Sequence, residues 1–127
     1  MITLLYASVL AILLLVLSYN VVTYRRKHQI STGDGGNKLL EIAARAHGNA
    51  VENIPFALLL IYLLEQSGLA PWIIHLLGIV LLLGRLSHAH GLLRSKIPFR
   101  FWGMVMTYVV FIAGAVLGLV QVVMRLV

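Results

Sequence analysis

Four polar residues keep helical register on an otherwise apolar stretch: Glu41, Arg45, Asn49 and Glu52, within and just before the string RAHGNAVENIP. Spacings of three and four residues place side chains on one face of a helix. Two carboxylates, a guanidinium and a carboxamide therefore share one stripe. Arg45 and Glu52 stand about two turns apart, roughly 10 Å along the axis. Asn49, between them, both donates and accepts hydrogen bonds. Such a stripe suits a small zwitterion that carries a carboxylate and an ammonium group. It could also serve the fold alone, with Arg45 pairing back to Glu41 and Asn49 bonding across to another helix.

A second group lies in GRLSHAHGLLRSKIPFR, residues 84–100. Arg85 and His88 are one turn apart and share a face with Leu92. As a ligand pair they would extend the same site. Taken singly, Arg85 could snorkel to the membrane surface and His88 could be a packed histidine. His88 and His90 splay to different faces, and no His–carboxylate spacing suggests a metal, so none is expected. Arg94 and Arg100, with Ser95 and Lys96 between them, read either as charges that fix topology or as cations that favour a thiolate. The chain has no cysteine, which excludes disulfides and a protein thiol nucleophile. A reacting thiol would have to arrive with a ligand.

The elements that position these residues are spans. Of 127 residues, 61% are hydrophobic and 11% charged, and the mean hydropathy is +0.97. A soluble domain is nearer half apolar and a quarter charged. Four apolar segments, about 1–24, 39–64, 71–93 and 99–124, are each long enough to cross a bilayer. The expected architecture is all-α: a polytopic membrane protein of one domain, 1–127, built as a four-transmembrane-helix bundle. The first segment lacks a basic start and a small-residue cleavage site, so it reads as a retained span. HQISTGDGGN marks the one long connection. Pro55 is expected to bend the second helix beside Glu52. Gly114 and Gly118 form a small-xxx-small pair on the fourth.

Lys and Arg set the expected orientation. Arg25, Arg26, Lys27, Lys38, Arg94, Lys96 and Arg100 flank the first and third connections, while EQSGLAP carries neither residue type. The first and third connections are expected in the cytoplasm, with both termini opposite. The formal charge of +6 is scattered along these edges with no basic stripe among exposed aromatics, so no nucleic-acid partner is expected.

RAHGNAVENIP, with GRLSHAHG and RS further on, resembles the MAPEG proteins, the membrane-associated proteins of eicosanoid and glutathione metabolism, and in particular their short bacterial members. The resemblance runs from RRK after the first span to the start of the fourth. It implies a four-helix subunit in a homotrimer, in a bacterial inner membrane, with glutathione bound as co-substrate between subunits near the cytoplasmic face. By motif position, Arg45, Asn49 and Glu52 match glutathione contacts, and Glu41 matches a supporting acid one turn earlier. Arg85 and His88 match positions lining the same site, and Arg26 matches an arginine reaching in from the neighbouring subunit. Arg94 and Ser95 match a pair implicated in thiol activation. Arg100 falls one residue from another thiolate-stabilising arginine. Two positions depart from the pattern: Leu92, where many members carry tyrosine, and Asn53, often tyrosine or threonine.

The implied activity is that of a glutathione transferase or peroxidase, in which the activated thiol attacks a hydrophobic small-molecule electrophile delivered through membrane lipid. One alternative is a non-catalytic protein that binds lipid or glutathione on the same scaffold, which Leu92 favours. Another is a small proton-coupled exporter working through Glu52.

Overall fold

A computed structural model describes residues 1–126; Val127, the last residue of the expected domain, lies outside them. Four helices follow one another: α1 (Ile2–His28), α2 (Lys38–Gln66), α3 (Pro71–Leu93) and α4 (Ile97–Leu126). All four are long and apolar enough to cross a membrane. The connections reverse the chain each time, which gives an up-and-down bundle.

The helix limits follow from local chemistry. α1 runs on past its apolar segment to His28, so Arg25, Arg26 and Lys27 lie in its last turn. Cations there offset the exposed carbonyls of a helix C-terminus. Gln29 ends the helix in the left-handed region (φ 56°), and the Ile30 amide closes onto the Arg25 carbonyl at 3.0 Å. Gly33, Gly35 and Gly36 take positive φ in the connection that follows, where a side chain would be strained. Asn37 caps α2 by accepting from the Leu40 amide at 3.0 Å. α2 then continues through Pro55 to Gln66, further than its apolar run suggested. Pro71 opens α3 in its first turn, where the missing amide costs nothing.

α2 and α3 each pack against all three of the other helices. The inward face of α2 mixes small and large aliphatic residues, with Ala46, Ala50 and Ala57 almost wholly buried beside Ile54 and Ile61. Leu10 and Leu17 of α1, Leu81 of α3 and Val110 of α4 fill the core around it. Large residues such as Trp72, Trp102, Ile112 and Leu119 face outward, as expected where lipid is the solvent.

α3 and α4 meet backbone to backbone. A Cβ on Gly91 would lie 2.3 Å from the Arg100 nitrogen, and one on Gly103 would lie 2.5 Å from the His88 nitrogen. Glycine at these positions lets the hairpin close. Of the pair expected on α4, Gly114 sits against Leu60 of α2, whereas a Cβ on Gly118 would meet nothing within 4 Å. At the end of the bundle away from the long connection, Glu65 accepts from the amides of Ile2 and Thr3 and so caps α1. Arg125 there donates to the Ser67 carbonyl at 2.7 Å and ties α4 to the α2–α3 turn.

Candidate functional site: a charged cavity between the helix ends

A cavity of about 490 Å³ opens where the C-terminal ends of α1 and α3 meet the N-terminal ends of α2 and α4. The whole α2 stripe faces it: Glu41, Arg45, Asn49 and Glu52 all line the wall. Helical periodicity alone placed these four together, and the fold keeps them so. Gly48, on the same stripe, leaves the middle of the wall without a side chain, and a Cβ there would meet nothing within 4 Å.

The ion pair considered between Arg45 and Glu41 does not form. Glu41 instead meets Lys38 at 2.9 Å, three residues earlier in the exposed first turn of α2. Among the described residues, neither Arg45 nor Glu52 has an ion-pair partner. Both are exposed on the single chain. Glu52 lies 14 residues into α2, about 21 Å along its axis, well inside the depth of a bilayer.

α3 contributes His88 and Leu92 to the wall, and α4 contributes Arg100. Arg85 stands behind that wall. It is 1% exposed and donates from Nη2 to Asn49 Oδ1 at 2.7 Å. The bond from Asn49 to another helix, one of the structural roles considered for it, is therefore present. Nη1 reaches Thr107 Oγ1 at 3.5 Å and Met104 Sδ at 3.8 Å, both on α4. His88 Nδ1 lies 3.4 Å from Nη2. A snorkelling role for Arg85 is thereby ruled out, since its head points into protein.

Arg26, Arg94 and Ser95 are exposed and do not line the cavity of the single chain; Arg26 was expected at the site of a neighbouring subunit and not at that of its own chain. Arg94 and Ser95 sit in the turn between α3 and α4, where Ser95 takes φ 53°. Arg25, which the sequence reading did not single out for the site, lines the cavity, and its Nη1 donates to the Gly33 carbonyl at 2.8 Å. Asp34 in that connection also reaches the wall. Loop residues carry no periodicity, so nothing in their spacing could reveal this. Thr107 had a weak signal: it is the one Ser or Thr on α4, one turn after Gly103, to whose carbonyl it donates at 2.9 Å.

The fold and the cavity together define an integral, multi-pass membrane protein with a charged chamber between its helix ends. The chain belongs to the MAPEG family, whose family model matches residues 3–120. It is 43% identical over 108 residues to the inner membrane protein YecN of Escherichia coli strain K12, covering 85% of this chain and 82% of that one. The same figures hold for the YecN protein of Escherichia coli O6:H1. No solved structure matches the chain.

Proposed function

We propose that the cavity binds glutathione and activates its thiol for attack on an apolar electrophile. One observation carries this reading. A single chamber has the guanidinium groups of Arg25, Arg45 and Arg100 and the carboxylates of Asp34, Glu41 and Glu52 around it. Both signs of charge around one space fit a zwitterionic peptide better than an apolar compound or a simple anion. The volume lies in the range of small-molecule pockets, roughly 300–1,000 Å³.

Arg45 and Glu52 would hold the charged ends of the tripeptide. Arg100, on the wall, is better placed than Arg94 to favour the thiolate. The thiol proton leaves to water, the sulfur lone pair attacks the electrophilic carbon, and the leaving group departs with the bonding electrons. Lowering the thiol pKa by about two units corresponds to about 2.7 kcal/mol.

The exposed Arg45 and Glu52 favour a homotrimer. Charged groups at that depth face protein or a water-filled space, not lipid. A neighbouring subunit would close the open side of the chamber and could bring Arg26 to it. Similarity to the two YecN proteins and the distribution of Lys and Arg support an inner-membrane location, with the cavity end in the cytoplasm.

Leu92 favours a second reading, binding without turnover, because it places an aliphatic side chain on the wall where a hydroxyl could have donated to the sulfur. The decisive experiment is thermal unfolding of the purified protein with and without glutathione, followed by turnover of 1-chloro-2,4-dinitrobenzene. Glutathione is expected to raise the midpoint, and Arg45→Ala to remove the rise. No protection of the wild-type protein overturns the proposal. Protection without turnover selects the non-catalytic reading.

A further inference from the structure

Arg85 is a buried cation whose protein contacts are all acceptors and include no carboxylate. They are the Asn49 amide oxygen, the Thr107 hydroxyl oxygen, the Met104 sulfur and a His88 ring nitrogen. Its Nε has no hydrogen-bond partner among the described residues. A guanidinium has five donors and no acceptor. Every group that meets it must therefore turn an acceptor toward it.

This constraint propagates to the cavity. Asn49 must direct Oδ1 at Arg85, which leaves the Nδ2 amino group as its remaining side-chain polar group. His88 must present a bare Nδ1 to Arg85, so its ring hydrogen belongs on Nε2. Thr107 completes the same order on the far side. Its hydroxyl hydrogen goes to the Gly103 carbonyl, and its oxygen is thereby left to accept from Arg85. Asn49 and His88 both line the chamber, although either type of side chain can in general donate or accept.

We propose that Arg85 is a positioning residue that fixes the hydrogen-bond polarity of the chamber wall, making Asn49 and His88 donors to an anionic group of the ligand. Arg85 itself adds a positive charge behind that wall, and among the described residues no carboxylate lies within ion-pair distance of it. The ligand's own anionic group supplies the missing negative charge. The wall between Arg45 and Arg100 thus selects an acceptor, while the carboxylates of Glu41 and Glu52 remain for the ligand's cationic end. The inference rests on the proposed glutathione reading only for the ligand's identity; the polarity of the wall is a property of the chain alone.

Two measurements test it. Histidine 15N spectra of the ligand-free trimer or monomer, whichever is purified, report the tautomer of His88 directly. The Nε2–H form is expected in the wild type and in Arg85→Lys, which still only donates. In Arg85→Gln, which can also accept, the preference is expected to weaken. An Nδ1–H tautomer in the wild type overturns the proposal, and this readout stands even if a variant fails to fold.

Asn49→Asp is the second test. The new carboxylate still accepts from Arg85, so the unfolding midpoint should hold or rise, but the wall loses a donor and gains negative charge. Glutathione binding is expected to weaken at least tenfold. Unchanged binding overturns the proposal. If wild-type protein shows no response to glutathione, the glutathione reading fails, and the same comparison is made with a short alkyl sulfonate as anionic probe. Binding of that probe by the wild type and its loss in Asn49→Asp supports the wall polarity independently; no binding of either ligand overturns it.

Discussion

Gly103 and Gly84 pack so closely across the α3–α4 hairpin that a Cβ on Gly103 would lie 2.6 Å from the Gly84 carbonyl oxygen. The same Cβ would crowd the His88 backbone, so the contact also fixes the height of His88 on the cavity wall. Gly103→Ala is expected to destabilise the protein by about 1–3 kcal/mol, the usual range for overpacking. Gly118→Ala on the same helix, with open space around it, should not. Thermal unfolding of the two variants in one detergent makes the comparison.

Gly48 provides the opposite case, since a side chain there enters the chamber and meets no atom within 4 Å. Gly48→Ala should stabilise the ligand-free protein by about 0.5–1 kcal/mol, the penalty of glycine within a helix. Gly48→Phe should fold normally and lose glutathione protection. Retained protection in the phenylalanine variant would mean that the ligand sits elsewhere.

Leu92→Tyr restores a hydroxyl to the cavity wall. A single donor aimed at a developing anion is worth about 10²–10³ in rate where it is fully aligned. A newly introduced one, without evolved support, is expected to raise turnover of 1-chloro-2,4-dinitrobenzene about tenfold or more. Spectrophotometric assay at fixed glutathione reads this directly, and unchanged turnover would remove Leu92 as a limit on thiol activation.

Orientation has a simple assay because the chain contains no cysteine. Thr32→Cys reports on the cavity end and Gln66→Cys, at the exposed end of α2, on the opposite side. A membrane-impermeant maleimide applied from the periplasmic side should label only Cys introduced at 66. Labelling at 32 alone would invert the proposed topology.

Arg125→Ala should lower stability by about 0.5–1.5 kcal/mol through loss of the bond to the Ser67 carbonyl. Ligand binding should be unaffected, because this contact lies at the other end of the bundle. Calorimetric titration of glutathione alongside thermal unfolding separates the two effects.

The spans and the α2 stripe were legible because both depend on periodicity and hydropathy, which are properties of consecutive residues. Glu41, Arg45, Asn49 and Glu52 keep their common face for that reason. Arg85 was legible as a polar residue out of place but not as a residue behind the wall, because its position depends on Thr107 and Met104 of another helix. Arg25 and Asp34 were missed for a related reason. Their approach to the chamber is set by the left-handed turn at Gln29 and the glycines of the connection, not by helical spacing. The helix end of α1 was not legible from hydropathy, because apolar character ends before the hydrogen-bond ladder does and cations are favoured in a last turn.

The close approach of Gly91 to the Arg100 backbone has a consequence for how this scaffold diversifies. The rim arginine is rooted on a crossing with no slack, so the distance between α3 and the start of α4 cannot adjust to a new reactant. Relatives with other reactants would have to change which side chains project from a rigid frame, and positions such as 92 and 100 are where that exchange costs the fold least.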